Sequence, residues 1–275
     1  MKKSRLRRID VKLNLLTSKW WFTLLIVLAF FVPSYTTKFF DPAESAKLVI
    51  AVLSNALVYS KPILLPIFKI VPIIVFGLLF KYRNKVSRLF SGYVIINFLI
   101  VTVFQNMAYT KEYGFAILIG NMIVSLIVAM AWLWETIMDK NSYEKVDINK
   151  FKLLIIGLAL LSYWYPINME TLNPDFNPLY LLTSEAGLTF CMLVPIYLTV
   201  LILIYPNVNY LTLKVTSLVG FIMGILNVVQ FFVLNPFLWW MGILHLPQLI
   251  ISITGLVLSR KIRLTAWSSG DSLEI

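Results

Sequence analysis

One cysteine (Cys191) and one histidine (His245) among 275 residues remove several kinds of chemistry at the outset. A single thiol forms no intrachain disulfide framework and no multi-thiolate metal site. A lone imidazole excludes the His–His zinc pair of hydrolytic metalloenzymes, so neither a metal nor a cofactor is expected. Charge is scarce as well. Only 13% of residues are Asp, Glu, Lys or Arg, against roughly 25% in a soluble domain. Acidic residues are the scarcer sign, 13 against 24 basic ones. No glycine-rich phosphate loop, paired carboxylate site or haem ligand pair occurs.

What fills the chain is apolar: 59% of residues are hydrophobic and the mean hydropathy is strongly positive. The apolar runs fall at about 20–35, 62–80, 89–109, 115–137, 151–166, 185–205, 212–234 and 237–258. Most approach the ~20 residues that cross a ~30 Å hydrocarbon core. With no water there to satisfy the backbone, such runs form helices. The expectation is an all-α integral membrane protein of about eight transmembrane helices. The run beginning at Trp20 follows a long charged stretch and lacks a small-residue cleavage pattern, so it reads as a span and not as a signal peptide.

Nineteen of the 24 Lys and Arg residues then fall on one side. They lie in the tail from Lys2 to Lys19, at 81–88, at 140–152, at Lys214 and at 260–263, whereas Lys38, Lys47, Lys61 and Lys111 lie opposite. The positive-inside rule puts both termini in the cytoplasm and the protein in the plasma membrane. The net charge of +11 is thereby accounted for without nucleic acid. The stretch 43–60 is too short to cross and is expected to be an external interfacial or re-entrant helix. In the tail at 1–19, Leu6, Ile9, Leu13 and Leu16 recur at helical spacing among basic residues, a pattern suited to the anionic lipids of the cytoplasmic leaflet.

An internal repeat is expected. Val71-Pro72-Ile73 recurs as Val194-Pro195-Ile196, each followed by a tyrosine (Tyr82, Tyr205) and an asparagine (Asn84, Asn207) at equal distances. Lys19 and Lys152 precede Pro33 and Pro166 by the same interval. The division is thus a first four-helix unit at 20–140, a second at 141–263 and a tail at 264–275. Four spans per copy give a parallel 4+4 repeat, a plan used by many solute carriers.

Polar side chains collect in the outer half of the spans. Ionisable groups at membrane depth usually face a bundle interior or a watery cavity. Lys69, Asn121, Glu185, Gln230 and His245 are therefore the candidate contacts for a small solute or ion. Glu185 lies in Ser184-Glu185-Ala186-Gly187, whose small residues allow close backbone approach. Cys191 and His245 fall at similar depth, where a thiol beside an imidazole would make a nucleophile for acyl transfer or lipid hydrolysis. Three functions follow from these features: a transporter with an external cavity, a non-catalytic subunit or assembly factor of a membrane complex, and an intramembrane enzyme, with non-enzymatic function preferred.

Overall fold

The computed structural model describes residues 2–146 and 148–268, so most of the expected C-terminal tail lies outside the described residues. Each of the eight apolar runs contains a helix. In chain order the elements are α1 (Lys2–Ser18), α2 (Trp20–Ala29), β1 (Tyr35–Thr36), α3 (Ser45–Ser54), α4 (Leu65–Tyr82), α5 (Ser87–Phe104), β2 (Met107–Thr110), β3 (Gly114–Ile117), α6 (Ile119–Met138), α7 (Lys150–Trp164), α8 (Tyr180–Thr183), α9 (Phe190–Leu203), α10 (Tyr210–Val228) and α11 (Trp239–Ser268). A π-helical stretch, Val229–Leu234, extends α10.

Among the described residues four helical runs are long and apolar enough to cross a membrane: Pro62–Phe104, Ile119–Met138, Tyr210–Leu234 and Pro236–Ile262. The first, 43 residues long, is broken at Arg83, whose φ of 54° ends α4. Two bent pairs raise the number to six: α1 with α2 at 75°, and Tyr180–Leu188 with α9 at 97°. The membrane-facing chemistry is explicit on α4, where Ile67, Ile70, Ile73 and Ile74 are all exposed. Leu153, Leu154 and Leu160 do the same on α7. Apolar outward faces of this extent belong in lipid.

The centre is α9, in which every residue except Cys191 is buried. Around Tyr197 the rings of Phe76, Phe90, Phe98 and Trp132 close in, with centroids 5.3–6.4 Å away. Asn97 donates to the hydroxyls of Tyr197 (3.0 Å) and Tyr93 (3.1 Å), which relieves part of the cost of an amide at that depth. Helices α10 and α11 approach closely through small residues. A Cβ on Gly224 would lie 3.0 Å from Leu249 Cα.

The core is helical as expected, with one addition. A three-stranded antiparallel sheet, ordered β1-β3-β2, caps one end of the bundle. Its apolar strand residues continue the hydrophobic runs of α5 and α6, so the runs read as longer helices than they are. Gly114, at φ +68°, completes the β2–β3 turn, and Phe115 N–H donates to Thr37 Oγ1 (2.9 Å). Helix α3 is ten residues, about 15 Å, too short to cross. It packs on the sheet through Leu48, Val52, Ala108, Tyr113 and Ala116.

At the opposite, basic end, the segment 139–146 ties the helices together. Asn84 Oδ1 accepts from Tyr143 N–H (2.6 Å) and Asn207 O from Ser142 N–H (2.9 Å). Glu135 accepts from Asn141 N–H (2.8 Å) and from Asn209 Nδ2 (2.6 Å), while Asn209 caps α10 by accepting from Leu211 N–H (3.0 Å). Helix α1 docks here with its polar side inward: Asp10, Asn14 and Thr17 are buried, and Asp10 accepts from Trp134 Nε1 (2.7 Å) and Lys140 Nζ (2.6 Å). Its other face exposes Ile9, Leu15 and Leu16 beside Arg5, Arg8 and Lys12.

Candidate functional site

At the sheet end, where α7 stops and α9 begins, the chain between them folds over a cavity of about 370 Å³. Its walls are Leu65, Tyr165, Ile167, Asn168, Met169 and Glu170, and, from α8 and the 3-10 turn Glu185–Leu188, Tyr180, Thr183, Ser184 and Glu185. Local chemistry explains why the wall sits there. Helix α7 ends at Tyr165, which takes a left-handed φ of 54° and leaves the last carbonyls of α7 without intrahelical donors. Two groups from elsewhere supply them. Ser184 Oγ donates to Trp164 O (3.1 Å), and the buried Lys69 ammonium donates to Tyr163 O.

Lys69 and Tyr163 are joined twice, since the Tyr163 hydroxyl donates back to Lys69 O, and the ammonium lies 3.9 Å from the Tyr163 ring centre. A cation at a helix C-terminus is favoured by the dipole and by the open carbonyls. Lys152 repeats the device at the other end, donating to Leu203 O (3.1 Å) at the close of α9. Lys69 thus neither snorkels nor pairs with Glu185. It sits one turn along α4 from the lining residue Leu65 and is not itself part of the cavity wall.

The segment carrying Glu185 is pinned on several sides. Pro72, lacking an N–H, leaves Phe68 O without its helical donor. Gly187 lies directly on that carbonyl, so close that a Cβ there would come within 2.5 Å of it. Thr189 Oγ1 donates to Glu185 O (3.0 Å) and is 2.8 Å from the Tyr59 hydroxyl. Gln105 holds the start of α9, its Oε1 accepting from Phe190 N–H (3.0 Å). Burial first, and the nearby Glu185 carboxylate second, hold the Tyr59 hydroxyl well above the ordinary tyrosine range, so it stays protonated. The backbone at Glu185 is fixed, yet its carboxylate has no hydrogen-bond or ion-pair partner among the described residues.

Of the five expected contacts, Glu185 lines the cavity and Lys69 does not. Asn121, in the first turn of α6, His245 and Gln230 are not among the lining residues. His245 Nδ1 is 2.7 Å from Met241 O within its own helix, and its ring packs on Phe231 with centroids 4.9 Å apart. Gln230 lies in the π-helical stretch with Nε2 buried and unpartnered. Cys191 accepts from Asn227 Nδ2 (3.3 Å), and no hydrogen bond joins it to His245. Among the described residues no three His, Cys, Asp or Glu side chains gather in a group able to hold a metal.

Sequence reasoning passed over Tyr165, Tyr180, Asn168 and Glu170. They stand on the segment that joins α7 to α9. The available signal was the aromatic run Tyr163-Trp164-Tyr165 ahead of Pro166, directly before a polar stretch holding the acids Glu170 and Asp175. No protein-family model matches this chain, and neither a curated protein nor a solved structure matches it.

Proposed function

We propose that this is a transport-type membrane protein that admits a small solute or ion through the cavity at the sheet end. The observation that carries the reading is the fixed, unpartnered Glu185 in a roughly 370 Å³ cavity beside the proline-interrupted helices α4 and α9. Interrupted helices are where many transporters bind their cargo. Deeper along α9, Tyr197 is about 10 Å beyond Phe190. The aromatic cluster around it packs the centre of the bundle, which favours a state closed towards the basic end.

In this reading the sheet end faces outside and the basic end faces the cytoplasm of the plasma membrane, with both termini inside. Arg83, Arg88 and Lys140 at the basic end favour that orientation, and the basic outer face of α1 rests on anionic lipid headgroups. A parallel repeat of 20–140 and 141–263 belongs to the same proposal.

Purified protein in liposomes, offered a panel of amines, amino acids, sugars, carboxylates and alkali cations, should take up at least one of them saturably. Ser184→Trp, which fills the cavity from its wall, should abolish that uptake. Uptake of none, or uptake indifferent to Ser184→Trp, would remove the proposal. A second reading, a subunit docking a membrane partner, is favoured by Phe39, in the segment after β1, and Tyr109 on β2, 93% and 72% exposed. A stoichiometric partner lost with Phe39→Ser would support it. The Cys191–His245 enzyme has no contact in its favour.

A further inference from the structure

The chain as a whole is basic, yet the cavity lining contains two carboxylates and no Lys, Arg or His. That local inversion of charge selects a sign of ligand. The remaining wall selects its type. Tyr165 and Tyr180 present aromatic rings, and Leu65, Ile167 and Met169 present apolar surface. The hydroxyls and the amide of the wall are held in place by bonds to neighbouring groups. Tyr180 Oη donates to Asp175 Oδ2 (2.6 Å), Thr183 Oγ1 to Leu179 O (3.0 Å) and Ser184 Oγ to Trp164 O (3.1 Å). Asn168 Oδ1 is taken by the backbone N–H groups of Glu170 (2.9 Å) and Thr171 (3.1 Å).

A hard divalent ion is held by several carboxylate oxygens gathered at one point, and among the described residues no three acidic side chains gather here. An organic ammonium needs less: one carboxylate for its charge, and aromatic faces and apolar surface for its carbon groups. We propose that the cavity binds a small organic ammonium ion, with Glu185 as its counter-ion and the rings of Tyr165 and Tyr180 against its alkyl groups. The Lys69 amino group is wholly buried, donates to the Tyr163 carbonyl and lies over the Tyr163 ring, and Lys69 is not among the lining residues. This inference rests on the transport reading for the cavity's role but not for its ligand. The ammonium group is the shared chemistry of free amines and of choline-type lipid headgroups.

The test is calorimetric titration of the full chain, purified in an uncharged maltoside detergent, with tetramethylammonium chloride. Saturable binding is expected, at least tenfold weaker in Glu185→Gln, and unaltered in Glu44→Gln, an exposed acid on the segment before α3. Sodium acetate should not bind. A second titration, with short-chain phosphatidylcholine below its micellar concentration, separates the sources. Binding at least tenfold tighter than tetramethylammonium assigns the lipid headgroup, and weaker or equal binding assigns the free amine. No saturable binding of either, or equal binding by wild type and Glu185→Gln, would overturn the inference. Ammonium binding without uptake into liposomes would remove transport and leave the ligand class standing. Saturable uptake of an uncharged or anionic solute without ammonium binding would do the reverse.

Discussion

Lys69→Ala is the substitution whose effect follows most fully from the structure. The side chain is wholly buried, its ammonium closes the C-terminal carbonyl of α7 at Tyr163, and its aliphatic stem fills space between α4 and α7. Truncation leaves a buried carbonyl without a donor, about 1–3 kcal/mol. It also opens a cavity of the kind that costs about 2–5 kcal/mol in large-to-small core changes. The expected loss is about 3–8 kcal/mol. Lys69→Met restores the volume without the donor and should lose about 1–3 kcal/mol. Tyr163→Phe removes the reciprocal bond to Lys69 O and should lose about 0.5–1.5 kcal/mol. Because each side chain bonds to the other's backbone, the two deletions couple only through the ammonium–ring contact. The Lys69→Met/Tyr163→Phe double variant should therefore depart from additivity by no more than about 0.5–2 kcal/mol. Reversible SDS unfolding of the purified protein, followed by far-UV circular dichroism, gives these values. A Lys69→Ala variant within about 0.5 kcal/mol of wild type would refute the capping role.

Further outcomes follow from the packing. Gly187→Ala, whose Cβ would meet the Phe68 carbonyl at 2.5 Å, should shift the Glu185 segment and weaken tetramethylammonium binding in calorimetry while leaving helix content unchanged. Asn209→Ala breaks both the bond to Glu135 and the cap of α10 and should cost about 2–4 kcal/mol in SDS unfolding, whereas Asn209→Ser, which keeps a capping oxygen, should recover about 1 kcal/mol. Asp10→Ala leaves Lys140 and Trp134 without their shared acceptor and should free α1, read as faster tryptic cleavage between Arg5 and Lys12 in vesicles.

Helix identity was legible because apolar runs in lipid have one way to satisfy their backbone. Each expected span contains a helix, with ends set by local features such as Asn209 before α10 and the left-handed Tyr165 after α7. The sheet was not legible. Met107–Thr110 and Gly114–Ile117 are short and apolar, and by composition they look like helix ends, although the turn glycine between them was a signal of a hairpin. At the site, Glu185 and the close approach at Gly187 were readable from Ser-Glu-Ala-Gly. The role of Lys69 was not, since a terminal carbonyl of another helix leaves no trace in the residues around it. Depth along a span also carries no angular information. Asn121, Gln230 and His245 share a depth range with Glu185 in sequence but face other neighbours.

The orientation of the cavity is tested most directly by single-cysteine labelling in intact cells. With Cys191→Ser as background, Glu170→Cys places a thiol on the cavity wall and Lys145→Cys one at the basic end. A membrane-impermeant maleimide added outside should label Glu170→Cys at once and Lys145→Cys only after permeabilisation. Labelling of Lys145→Cys from outside, with Glu170→Cys protected until the cells are opened, would contradict a cavity that admits its ligand from the external side.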